Sequence, residues 1–263
     1  MKKTTKQINQ AIKNIYSNKS IEKIDTTMLK ILQNRGFINV DRSLTATGKN
    51  LIISKMSLPE QCQELEIELF EINLPYEGRP ESALLNYFEA KGFMGSRLEG
   101  IAIFTILKAL MLNKLAEYNV LNSRSDACSR YLEAQLTILQ DKALKIVSSI
   151  YSTNKSDFIK NMQEIISNPF IKNEYPELSV NFAEAIFDAI KTETFVQVSK
   201  KITEDPYTYR NGWPDITLVK GKEVLFIEVK TTDKLHKNQI STIPIFKKIL
   251  PFSFCVYRIH NES

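Results

Sequence analysis

Asp215, Glu228 and Lys230 are the residues of this chain whose types and spacing could do chemistry together. They lie in the stretch Trp213-Pro214-Asp215, then 216–219, Lys220-Gly221-Lys222-Glu223, 224–227 and Glu228-Val229-Lys230. The runs 216–219 and 224–227 are rich in β-branched and large apolar residues, and four residues with a central Gly-Lys separate them. That is a hairpin pattern, with Gly221 able to supply the positive φ of a tight primed turn. If Gly221 and Lys222 form the loop, counting outward sets Lys220 opposite Glu223, Val219 opposite Val224 and Asp215 opposite Glu228. Lys230, two residues beyond Glu228, shares its face. Two carboxylates then oppose each other with Cβ atoms about 5 Å apart. Like charges so placed destabilise a sheet unless something neutralises them. A hard divalent cation, Mg²⁺ or Mn²⁺, would do so, because it prefers carboxylate, carbonyl and water oxygens. A lysine beside it can orient a water or meet a developing phosphoryl charge. The bland alternative is a surface hairpin with solvated charges.

Other elements must position this hairpin. After it, 235–250 reads as an amphipathic helix in which Pro244 should cause a kink or a restart, and 252–259 reads as a buried strand. Before it, 194–198 reads as a strand. The rest of 81–200 reads as mostly helical: a run broken at Gly92, a nearly all-apolar helix over 101–112 led by Glu99-Gly100, one amphipathic helix over 131–150, and two more over 158–166 and 182–190. Residues 57–80, punctuated by Pro59, Pro75, Gly78 and Pro80 with acids crowded between, read as a linker made of a short solvated helix and a loop. Residues 1–56 read as a small module. Ile8, Ile12 and Ile15, then Ile21, Ile24, Met28 and Leu32, recur at helical spacing. Residues 37–41 followed by Leu44-Thr45-Ala46-Thr47-Gly48-Lys49 resemble the wing and last helix of a winged-helix domain. DNA contact and structural docking are equal readings of that module.

Bulk composition narrows the class. The net charge of +5 suits a nucleic-acid partner. Cys62, Cys128 and Cys255 are far apart and odd in number, which argues against a disulfide framework or zinc site and for a reducing compartment, cytoplasmic, or nuclear in a eukaryote. His236 and His260 alone give a histidine metal site or a Ser-His-Asp triad almost nothing to build on. No apolar run approaches the roughly 20 residues that span a bilayer.

Pro214-Asp215 with Glu228-Val229-Lys230 has the signature spacing of the PD-(D/E)XK nuclease superfamily. Arg210-Asn211-Gly212-Trp213-Pro214-Asp215, Asp233-Lys234-Leu235 and Gln239 add a resemblance to its VRR-NUC branch. Such nucleases often recruit an acid from an early helix, and Glu99, at the start of the apolar helix, is the candidate here. The segments 85–95, Glu99-Gly100 and Tyr131-Leu132-Glu133-Ala134-Gln135-Leu136 resemble the nuclease domain of Fanconi-associated nuclease, so that the likeness covers about 81–259.

The resemblance implies an α/β fold with a restriction-endonuclease-like mixed sheet and flanking helices. The chain would divide into the winged-helix-like module (1–56), the linker (57–80), a helical part of the nuclease domain (81–200) and the catalytic core (201–263). It further implies metal ligation by Glu99, Glu133, Asp215, Glu228 and the Val229 carbonyl, with Lys230 as the catalytic lysine. Asp233 matches a further metal-site acid, although one residue fewer separates it from Lys230 than in the family pattern. Gln239 would brace the active-site loop, and Trp213 would pack beside the hairpin. Arg210, Lys234 and Lys237 would contact phosphates. The implied activity is divalent-metal-dependent cleavage of flap or branched DNA. The alternatives are a Holliday-junction resolvase, a restriction-like endonuclease, or a DNA-binding regulator with an inert nuclease fold.

Overall fold

A computed structural model of the chain describes residues 4–17 and 24–262. Ile21 and the basic start Met1-Lys2-Lys3 lie outside the described residues. The elements run α1 (Thr5–Tyr16), α2 (Thr26–Asn34), α3 (Ala46–Ile53), α4 (Leu58–Glu64), β1 (Glu68–Asn73), α5 (Pro80–Glu89), β2 (Met94–Ser96) and α6 (Gly100–Glu117). The helical stretch continues with α7 (Arg124–Ser129), α8 (Leu132–Ile138), α9 (Ala143–Ser148), α10 (Lys155–Ser167), α11 (Pro169–Glu174) and α12 (Val180–Ala189). Then follow α13 (Thr192–Glu204), α14 (Pro206–Arg210), β3 (Ile216–Lys220), β4 (Glu223–Lys230), α15 (Lys237–Ile249) and β5 (Ser253–His260). The chain groups into two compact units, 1–66 with 233–241, and 67–232 with 242–263.

The larger unit is built on a five-stranded mixed sheet of order β1-β5-β4-β3-β2. β1, β5 and β4 are parallel neighbours, whereas β3 is antiparallel to both β4 and β2. The α/β sheet with flanking helices is the class expected from the sequence. Gly221 stands at φ 59° in the turn, and the register is the one counted outward from it, Lys220 opposite Glu223 and Ile216 opposite Ile227. Side-chain alternation then assigns the faces. Ile216, Leu218, Ile227, Val229, Cys255 and Ile259 form a buried cluster with Leu84 and Phe88 of α5. On the opposite face Phe226 stacks on Phe254 at 4.6 Å, and Trp213 packs on Phe246 of α15 at 4.4 Å. Glu228 and Lys230 share this second face with Phe226.

Four sequence expectations are corrected in whole or in part. Residues 194–198 belong to a helix, α13, and not to a strand. The window Thr-Phe-Val-Gln-Val is β-rich, but Phe195, Val198, Ser199 and Ile202 are buried at a helical period that only a longer window reveals. The single helix expected over 131–150 is divided into α8 and α9 with 3-10 turns after each, and both segments pack on α6. Part of the expected loop before residue 80 is β1, an edge strand with little burial, whose acids at Glu68 and Glu71 hide its pattern. α15 runs on through Pro244 without a restart.

The smaller unit packs α1, α2 and α3 around Ile8, Ile12, Ile15, Met28, Leu32 and Ile38, with one bridge pairing Ile38 and Leu44. Residues 233–241 belong to it through side-chain anchors. The Gln61 carbonyl oxygen accepts the Leu235 N–H at 2.8 Å, its amide donates to the Leu235 carbonyl at 3.4 Å, and Asn50 donates to the Ser241 hydroxyl at 2.9 Å.

Candidate active site

Asp215 lies one step beyond the paired residues Ile216 and Ile227, so it stands opposite Glu228, and the two carboxyl groups interact electrostatically. The Lys230 ammonium is 2.8 Å from Glu228, and both side chains are buried. Burial raises the Glu228 pKa well above the ordinary carboxylate range, Asp215 adds to the rise, and Lys230 opposes it. Burial likewise raises Asp215, against the Val229 N–H and the Lys230 charge.

The backbone explains the proline. In an antiparallel pair the N–H and C=O of one residue point to the same neighbour. With Ile216 and Ile227 in that relation, the next such position pairs Val229 with Pro214. Pro214 has no N–H to donate. The Val229 N–H goes instead to Asp215 Oδ2 at 2.8 Å. The same alternation directs the Val229 carbonyl toward the side of Pro214.

Glu99 comes from the other wall. It is the N-cap of α6, in the left-handed region at φ 46°. The following Gly100 makes this approach possible, since a Cβ there would lie 2.8 Å from Cδ1 of Trp213. Trp213 is buried, donates its indole N–H to the Tyr209 carbonyl at 2.8 Å, and meets Phe104 of α6 edge-on at 6.2 Å. It is therefore the packing residue expected from the sequence, and it ties the start of α6 to the hairpin. Glu99 and Asp215 line one cleft of 310 Å³ with Glu81, Arg79 and Arg97. Burial raises the Glu99 pKa, with Asp215 and then Glu81 adding to it. Glu81, in the first turn of α5, was not singled out by spacing. Its one signal is its place behind Pro80 at a helix start.

As the side chains stand, no three carboxylates, thiols or imidazoles among the described residues are gathered tightly enough to cage an ion. The donor chemistry nevertheless fits one. Glu81, Glu99, Asp215, Glu228 and a backbone carbonyl are hard oxygen donors with no histidine or cysteine among them, the preference of Mg²⁺ or Mn²⁺.

Glu133 is grouped differently. It is buried on the first turn of α8, 3.0 Å from Arg210, whose guanidinium lies over the Tyr131 ring at 5.0 Å. The small cavity they line, 20 Å³, also takes in Lys108 and Tyr175. Lys108 donates to the Cys128 carbonyl at 2.6 Å, and burial pushes its ammonium down to about 8. The structure thus pairs two residues to which the sequence gave separate roles, metal for Glu133 and phosphate for Arg210.

The remaining candidates belong to the smaller unit. Asp233 lies 3.6 Å from His236. Gln239 accepts the His236 N–H at 2.8 Å, bracing the turn into α15. Lys234 donates to the Met56 carbonyl at 2.9 Å, and Lys237 begins α15. Gln61, which anchors this segment, was missed because its partner lies 174 residues away.

Opposed acids and a lysine on the hairpin of a mixed sheet are what the resemblance to PD-(D/E)XK nucleases leads one to expect. Residues 160–256 match the VRR-NUC domain family, the branch to which the motifs point. Glu99 and Glu133 lie outside the matched residues. Among solved structures, the chain is similar to paFAN1 bound to 1nt 5′ flap DNA with gap, with a TM-score of 0.53 and 17% identity over 97% of this chain and 49% of that one. The likeness to paFAN1 bound to 2nt 5′ flap DNA with gap has a TM-score of 0.54 and 16% identity over 98% of this chain and 50% of that one. The chain thus spans about half the length of these structures. No curated protein matches it.

Proposed function

We propose that this chain is a divalent-metal-dependent phosphodiesterase that cuts DNA, with flap or other branched DNA as its substrate. One observation carries the reading: Asp215 and Glu228, both raised in pKa, oppose each other across the hairpin with Lys230 on their face and Glu99 on the facing wall. The VRR-NUC match and the likeness to flap-bound paFAN1 support the class of reaction and of substrate.

In this reading Glu99, Asp215, Glu228 and the Val229 carbonyl would hold Mg²⁺ or Mn²⁺. When bound, the ion would supply Lewis acidity and an activated water to the phosphodiester. Lys230, close to Glu228, orients the water or meets charge developing on the phosphate. Glu133, which pairs with Arg210, is the acid that would help to hold a second ion, and Arg210 would contact a phosphate. Arg79 and Arg97 stand in the same cleft and are further phosphate contacts. Lys234 and Lys237 are assigned to the DNA backbone, Asp233 and Gln239 to supporting the loop after β4.

The test is to incubate the protein with end-labelled single-stranded, duplex, 5′-flap and four-way-junction DNA, with Mg²⁺ or Mn²⁺, and map the cuts. Cleavage near the flap, lost in Asp215→Asn, is expected. An Asp215→Asn protein that cuts at the wild-type rate overturns the assignment.

A further inference from the structure

The smaller unit holds a second cleft, of 550 Å³, between α1 and the segment joining α3 to α4. On α1 it is lined by Lys6, Asn9, Gln10 and Lys13. That spacing, i, i+3, i+4, i+7, is one continuous helical stripe. It is distinct from the stripe Ile8, Ala11, Ile12 and Ile15, which α1 buries in the core. The two lysines are about 10 Å apart along the helix axis. Lys55 faces them from the other wall, where Leu51 and Met56 add an apolar lining.

The charges of this cleft are unbalanced. Glu60 also lines it, accepts the Ser57 N–H at 2.8 Å and the Ser57 hydroxyl at 2.7 Å in a capping box and feels the Lys13 charge, so one carboxylate stands against three lysines. An ion pair holds Lys49 to Glu64 at 3.5 Å, whereas among the described residues none engages Lys6, Lys13 or Lys55. Three lysines lining one concave surface repel one another unless an anion lies between them. Two amides beside them can hydrogen-bond to phosphate and sugar oxygens. The aliphatic lining suits the apolar faces of sugars and bases, which an acidic peptide offers less regularly than a nucleic-acid strand.

We propose that this cleft grips the phosphodiester backbone of the DNA, with phosphates at Lys6, Lys13 and Lys55. The proposal rests on the nuclease reading for the identity of the polyanion, and it makes the smaller unit a DNA-binding element. The test measures binding of the full chain, in EDTA so that nothing is cut, to a single strand and to a duplex over a salt series. For Lys6→Gln/Lys13→Gln/Lys55→Gln, the slope of log K against log salt should flatten by about 2.7 on a duplex or about 2.1 on a single strand, depending on which the cleft takes. A control, Lys160→Gln/Lys172→Gln/Lys191→Gln, carries the same charge change and should keep the wild-type slope. An unchanged melting temperature verifies that the cleft variant is folded. Wild-type affinity and slope in the cleft variant, or an equal loss in the control, overturn the proposal. Failure of the nuclease reading registers separately, on Asp215→Asn cleavage.

Discussion

At the scale of single residues, Asp215 and Glu228 are costly to fold without a cation. Burial raises the Asp215 pKa, so the folded state binds that proton more readily than the unfolded state does. Stability therefore falls as pH rises from the ordinary carboxyl range near about 4 up to the raised value, and stays lowered above it. Asp215→Asn removes this penalty while its side-chain oxygen can still accept the Val229 N–H. The metal-free variant should melt above wild type at pH 8, with the gap closing below about pH 4, and it should be inactive. Equal melting curves at pH 8 would count against a repulsive pair. Lys230→Ala should behave oppositely, since it leaves Glu228 buried without that cation. Breaking a buried pair costs about 3–5 kcal/mol. Part of that loss should be recovered as pH falls through the raised Glu228 pKa, and circular-dichroism melts at several pH values would register it. The opposition of Asp215 and Glu228 was legible from sequence because a two-residue turn and a period of two fix a register locally. Glu81, Lys108 and the Glu133–Arg210 pair were not, because each depends on elements brought together from afar.

At the scale of elements, the site depends on how α6 meets the hairpin. Gly100 lies against the Trp213 ring, and that contact fixes the backbone of Glu99. Gly100→Ala should force the two apart. Overpacking of this kind costs about 1–3 kcal/mol. A shift of about 1 Å in a positioning group can lower a rate on the order of 100-fold. Cleavage should therefore fall far more than the melting temperature suggests, while Glu99→Gln should lose cleavage with no fall in melting temperature. A Gly100→Ala protein of wild-type rate and stability would mean that α6 does not position the acid. The apolar run of α6 was plain in the sequence, as were β4 and β5, whose buried runs need no context. α13 was misread because four β-branched and aromatic residues in five outweigh a helical period when the window is short. β1 and the three-residue β2 were not seen, since an edge strand buries too little to leave an alternation.

At the scale of the whole molecule, the two units cannot be separated by one cut in the chain. Residues 233–241 leave the larger unit after β4, join the smaller one, and return within α15. Sequence order hid this, because the division is made by side chains such as Gln61 and not by a change of composition. A chain beginning at residue 75 would lose β1 from the edge of the sheet, together with the groups that satisfy Leu235. A protease site placed between Glu66 and Ile67 is the cleaner experiment. After cleavage, the fragment 1–66 should remain bound to 67–263, because Gln61 and Asn50 still hold Leu235 and Ser241 across the break. Size-exclusion chromatography should give one peak containing both fragments. Gln61→Ala would leave the buried backbone groups of Leu235 unsatisfied, at about 1–3 kcal/mol, and should loosen the nicked complex while the uncut chain still folds. Two separate peaks from the nicked wild-type protein would mean that residues 233–241 do not anchor the smaller unit, and that a linker alone joins the two.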